Sequence, residues 1–164
     1  MVLKRTISSD LVLYVTRDFP KRFKRQRLHR YGATLGIGGN IGDVARRFRH
    51  LLVFLQRDRR ISLLQTAPIL QNPPFGFTEQ EDFLNSVLEV STSMSPQRLL
   101  RYILHVERRF GRRRTFANAP RTLDIDMIFF DDRVIQTPQL TLPHPHWHER
   151  DSVRIPLCLL GRSQ

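Results

Sequence analysis

Asp124 and Asp126 stand two residues apart in the apolar run LDIDMIFF. A strand alternates its side chains, so both carboxylates leave the same face and Leu123, Ile125 and Met127 take the other, buried one. Two like charges on one strand face repel unless a cation or basic groups neutralise them. Hard carboxylate oxygens in this number suit Mg²⁺, which takes one or two carboxylates and fills its shell with water and phosphate oxygens. The bland alternative is a pair on the wet face of a sheet, ion-paired to arginine. Arg112, Arg113, Arg114 and Arg121 lie just upstream, after Gly111. Guanidinium groups match phosphate oxygens bidentately and stabilise charge during transfer. A basic loop beside an aspartate pair has the makings of a nucleoside-triphosphate site built without a P-loop.

Other candidate motifs carry less. The segment GIGGNIGD lacks Gly-Lys-Ser/Thr, and Ile41 stands where G-x-G-x-x-G needs its last glycine, so it reads as a tight strand-to-helix turn. His144, His146 and His148 alternate, which invites zinc. Two prolines and a tryptophan in the same stretch favour an ordered loop with His144 near an anion. Cys158 sits in the apolar run PLCLL and reads as core. No Ser-His-Asp arrangement is visible.

These residues need a scaffold. ATLGIG (33–38) reads as a buried strand, and Asp43 caps a helix with Val44, Phe48, Leu51, Leu52 and Leu55 at helical spacing. ISLLQTAPIL (61–70) reads as a strand ending at the loop QNPPFGFTEQED, and FLNSVLEVST (83–92) alternates as a half-buried strand. Ser95 and Pro96 open a second helix with an apolar stripe through Leu99, Leu100, Ile103, Leu104 and Val106, stopped by Gly111. LDIDMIFF (123–130) is the most apolar strand, and Val134-Ile135 suggests its hairpin partner, followed by a loop-rich end. Strand, helix, strand, strand, helix, strand gives an α+β fold of the ferredoxin-like kind, a mostly antiparallel sheet with helices packed on one face.

The chain has 164 residues and a formal net charge of +12, with 24 arginines and 3 lysines. Residues 1–30 hold nine basic and two acidic residues, so more than half of the excess sits there. Composition changes at Tyr31-Gly32, which divides the chain into a basic N-terminal extension, 1–31, and a compact domain, 32–164. No run approaches the ~20 apolar residues of a membrane span, and the N-terminus lacks the core and cleavage site of a signal peptide. With one cysteine, a reducing cytoplasm is the expected compartment.

In order along the chain, GGNIGD, NPPFG, FLN, GRRR…APRTLDIDMIFF and LPHPHWHERD…IPL closely resemble the hydroxymethyldihydropterin pyrophosphokinases of folate synthesis. The likeness spans about residues 33–160, and PRTLDID is its most specific part. The resemblance implies a ferredoxin-like enzyme that moves the terminal pyrophosphate of ATP to the hydroxymethyl group of a reduced pterin and releases AMP. It further implies that Asp124 and Asp126 hold two Mg²⁺ bridging the triphosphate. Arg112 and Arg121 resemble the catalytic loop arginines. Glu107, Arg114, Met127, Thr141, His144 and Arg150 resemble the residues around ATP. Pro73, Pro74, Phe75, Phe83 and Asn85 resemble the pterin pocket. Ser152 takes the place of a family aromatic that stacks on the pterin, so weaker pterin binding than in the family is expected unless Phe116 or Trp147 moves in to replace it. No counterpart for residues 1–30 is expected in the family.

The runner-up is a basic nucleic-acid-binding α+β module, supported by the net charge and the arginine loop. No strand shows an RNP-like aromatic pair, and nucleic-acid binding gives no reason for Asp124 and Asp126. ATP and a reduced pterin are therefore the expected partners of a monomer, without nucleic acid or membrane.

Overall fold

The structure, a computed structural model, describes residues 2–24 and 27–161. Its elements are β1 (Leu3–Thr6), β2 (Val12–Val15), β3 (Lys21–Arg22), β4 (Tyr31–Gly39), α1 (Val44–Gln56), β5 (Ile61–Thr66), β6 (Ile69–Asn72), β7 (Phe83–Thr92), α2 (Pro96–Arg109), β8 (Asp124–Phe130), β9 (Ile135–Gln136), β10 (Thr141–Leu142) and α3 (Asp151–Leu159). The large sheet runs β1-β2-β6-β7-β4-β8, with β5 continuing along β7 beside β6 and β3 attached to β5. Every pairing is antiparallel. From β4 to β8 this is the βαββαβ order of a ferredoxin-like α+β fold.

Local chemistry explains the elements. The Asp43 carboxylate accepts from the Arg46 N–H at 2.9 Å and starts α1. Ser95 and Pro96 start α2, and Gly111, at a positive φ, leaves it in the left-handed conformation that stops helices. Pro68, with no N–H to give, divides the apolar segment 61–70 into β5 and β6. Leu35 and Ile37 of β4, Ile125 of β8 and the stripes of α1 and α2 form one core on the helical side.

Three parts differ from the sequence expectations. The 1–31 segment is not an arm beside a domain. β2 ladders with β6, β3 pairs with β5, and Phe19 is fully buried with its ring 5.9 Å from that of Phe48. Its charges stay outside, as at Lys21, while its apolar groups go in, so a shift in charge density is no domain boundary. The end of the chain is a helix, α3, packed on β6 and β7. Val153, Pro156, Leu157 and Leu160 fall at helical spacing, a stripe that the internal Pro156 disguised. Cys158 lies on the outer side of that helix and is exposed rather than core. The segment around Val134-Ile135 does not return along β8; β9 pairs with β10 instead.

Candidate active site

A cavity of about 520 Å³ opens on the sheet face opposite α1 and α2. That is the size of a small-molecule site. Its floor is β4, where Gly36 stands opposite Asp126 and Gly38 opposite Asp124 in the ladder. Gly38 has Asn85 on its other side, and a Cβ there would collide with the Asn85 Oδ1. A side chain at Gly38 would therefore fill the space between the carboxylates and the amide. The alternation that placed Leu35 and Ile37 in the core leaves bare backbone under the site. Glycine inside a strand signals such close approach, and the strand 33–38 carried that signal in Gly36 and Gly38.

At one end lie Asp124, Asp126 and Arg121, all on the wall. Asp124 binds two guanidinium groups, Arg112 at 2.9 Å and Arg121 at 2.8 Å. The Asp126 carboxylate has neither an ion pair nor a side-chain hydrogen bond among the described residues, and Arg150 and Arg121 act on it only as nearby charges. Its pKa is pushed up to about 7, chiefly by burial and then by the charge of Asp124. One carboxylate is thus neutralised by arginine and its neighbour is left short of positive charge. Glu107, on α2, is buried and accepts the Ile125 N–H at 2.8 Å, clamping the backbone between the two aspartates. Burial raises its pKa as well.

At the other end lie Pro73, Pro74, Phe75, Phe83 and Asn85. The Asn85 amide donates to Asn72 Oδ1 at 2.7 Å, which fixes its orientation. The Arg121 guanidinium lies 5.3 Å from the Phe83 ring centre and so links the two ends. Arg150 lines the cavity and stands 5.8 Å from the ring of Phe75.

The remaining expected residues lie off the wall. Arg112 is almost enclosed behind Asp124, with its Nε unpartnered. Arg114 reaches Glu107 at 3.5 Å from an exposed position. Met127 is buried in the helical-side core. Thr141 is exposed on β10. The His144 N–H is bound to the Ile128 carbonyl, and burial lowers its imidazole pKa, which keeps it neutral near pH 7. Phe116 packs edge-on against Phe77 and Trp147 against Phe129, so neither substitutes at the Ser152 position, which itself lines the cavity. His146 and Glu149, 3.0 Å apart, line it too; His146 was noted only as one of three alternating histidines, and Glu149 was not singled out.

Comparison with known proteins bears on this cavity. Residues 34–162 match the family model described as 7,8-dihydro-6-hydroxymethylpterin-pyrophosphokinase (HPPK). The chain is 38% identical over 149 residues to a Helicobacter pylori 2-amino-4-hydroxy-6-hydroxymethyldihydropteridine pyrophosphokinase, covering 90% of this chain and 91% of that protein. A Campylobacter jejuni protein of the same name is 39% identical over 145 residues, 88% and 92% of the two chains. The Schizosaccharomyces pombe folic acid synthesis protein fol1 is 33% identical over 160 residues, 94% of this chain but 21% of that one. A match covering 90% of the chain cannot begin as late as Gly32. The likeness to the Helicobacter protein therefore reaches into the N-terminal segment, contrary to the expectation that residues 1–30 have no counterpart.

Proposed function

The chain belongs to the 7,8-dihydro-6-hydroxymethylpterin-pyrophosphokinase family, and on that footing we propose that it transfers pyrophosphate from ATP to the hydroxymethyl group of 6-hydroxymethyl-7,8-dihydropterin, releasing AMP, in folate biosynthesis. The observation that carries this reading is a single cavity with a charged end and an aromatic, amide-bearing end joined by Arg121. ATP phosphates belong beside Asp124, Asp126 and Arg121, and the flat pterin belongs beside Phe83 and Asn85. The hydroxymethyl oxygen then bonds to the β-phosphorus as the bond from that phosphorus to the α-bridging oxygen breaks, and AMP departs with the electron pair. The hydroxyl proton passes to water as the new oxygen–phosphorus bond forms, as suits a transfer driven by positioning and charge.

The donor set fits Mg²⁺. Two carboxylates share a face above bare glycine backbone, and the buried Asp126, only partly offset by Arg150 and Arg121, suits a cation. Asp124 and Asp126 would hold two such ions, which would offset charge on the triphosphate oxygens. Arg121 would stabilise charge that grows during transfer. Asn85, held by Asn72, offers both a donor and an acceptor to the pterin edge. Arg112 keeps Asp124 in place from behind. No helix among the described residues is long and apolar enough to cross a membrane, and we place the reaction in the cytoplasm, carried out by a monomer.

Arg121→Ala is expected to lower kcat by about a hundredfold while KM for ATP changes less than about threefold, since the guanidinium acts on developing charge. Steady-state kinetics with both substrates checks it; a raised KM with unchanged kcat would assign Arg121 to ground-state binding. For the function itself, the protein mixed with ATP, Mg²⁺ and hydroxymethyldihydropterin should release AMP only when the pterin is present. ADP, or no pterin-dependent product, would refute the reading.

A further inference from the structure

One part of the cavity wall comes from outside the segment 34–162 that defines the family. Leu11, in the turn between β1 and β2, lines the cavity together with Val153 of α3. Its carbonyl accepts the N–H groups of Ile7 at 2.9 Å and Ser8 at 3.3 Å, which closes the turn. β2 is laddered to β6, with Val12 opposite Gln71, and the Tyr14 hydroxyl donates to Gln71 Oε1 at 2.7 Å. Leu11 precedes Val12 and Asn72 follows Gln71, where this ladder ends, and Asn72 pairs in turn with Phe83 of β7. Leu11, Asn72 and Phe83 all line the cavity. Asn72 is the residue that orients Asn85. A flat heterocycle held by Asn85 and Phe83 would share the cavity with Leu11.

We propose that Leu11 is a specificity-determining residue for the pterin, an aliphatic wall that the N-terminal hairpin adds to the acceptor end of the cavity. The inference rests on the function proposed above. Leu11 is half-buried, so it presents surface to the cavity while its backbone is fixed by the turn. It has no polar atom in its side chain, and so selects for the apolar faces of the ring and leaves the hydrogen-bonding edge to Asn85. The hairpin rides on β6, whose next residues are the Pro73-Pro74-Phe75 loop, so hairpin and loop set the pocket width together.

Kinetics of Leu11→Ala test this. KM for the pterin is expected to rise about tenfold, as for loss of a few methylenes from an apolar pocket, with KM for ATP unchanged within about twofold. Leu11→Met should restore the wild-type KM. Leu13→Ala is the structural control. Leu13 is buried in the same hairpin but is not on the cavity wall, so its loss should lower Tm and leave both KM values alone. An unchanged pterin KM in Leu11→Ala, or KM values for both substrates rising together, overturns the role of Leu11 and leaves the function standing. A wild-type chain that makes no pterin-dependent AMP overturns both.

Discussion

Asp126→Asn is expected to abolish turnover, by about a thousandfold or more, while making the metal-free protein more stable. The loss of activity follows from removing a carboxylate that would hold Mg²⁺ against the triphosphate. The gain follows from the site's electrostatics. Burial and the neighbouring Asp124 lift the Asp126 pKa from its ordinary 3.8 to about 7. A carboxyl that holds its proton more tightly folded than unfolded costs nothing below about pH 4. Its cost grows as pH rises from about 4 to 7 and is complete above that. The variant should therefore melt with the wild type at pH 4 and about 10 °C higher at pH 8, for a relief on the order of 4 kcal/mol. Mg²⁺ should raise the wild-type Tm at pH 8 and leave the variant's nearly unchanged. Asp124→Ala should be equally inactive but less stable than wild type, because it strips the counter-ion from the nearly enclosed Arg112 side chain. Thermal melts across pH with an AMP assay decide the matter. A variant at Asp126 that keeps a tenth of wild-type activity, or melts lower at pH 8, contradicts the assignment.

Deleting residues 1–30 is expected to cost the soluble fold. Phe19 would leave the core beside Phe48, and β6 would lose its ladder to β2. The Thr66 hydroxyl would lose both the Lys21 N–H, 2.8 Å away, and the Asp18 carbonyl, 2.6 Å away. Losing one buried phenylalanine costs about 3–5 kcal/mol, against a total stability of about 5–15 kcal/mol for a domain of this kind. The milder Phe19→Ala should stay folded and lower Tm by roughly 10 °C. Circular dichroism melts of the two proteins check this. A truncated chain that remains soluble and melts within a few degrees of the intact one would show that the hairpin is an accessory.

Helices α1 and α2 were legible in the sequence because capping and apolar spacing agree locally, from Asp43 and Val44 to Ser95 and Val106. Asp124 and Asp126 were legible because strand alternation is a local rule. The burial of Phe19 was not, because it depends on Phe48, far along the chain, and on charges that point outward around it. The pairing of Arg112 and Arg121 with Asp124 was not either; a run of arginines shows that positive charge is available but not which carboxylate it meets. Gly36 and Gly38 fell between these cases. Their type and period were visible, but their meaning depends on Asn85, Asp124 and Asp126 standing on either side of them.

Transfer of label from ATP tests the proposed function most directly. With ATP labelled at the β-phosphorus in one reaction and at the γ-phosphorus in another, both labels should appear on the pterin in equal amounts, with unlabelled AMP as the other product. Label reaching the pterin from the γ-position alone, with the β-label retained in ADP, would contradict pyrophosphate transfer by this chain.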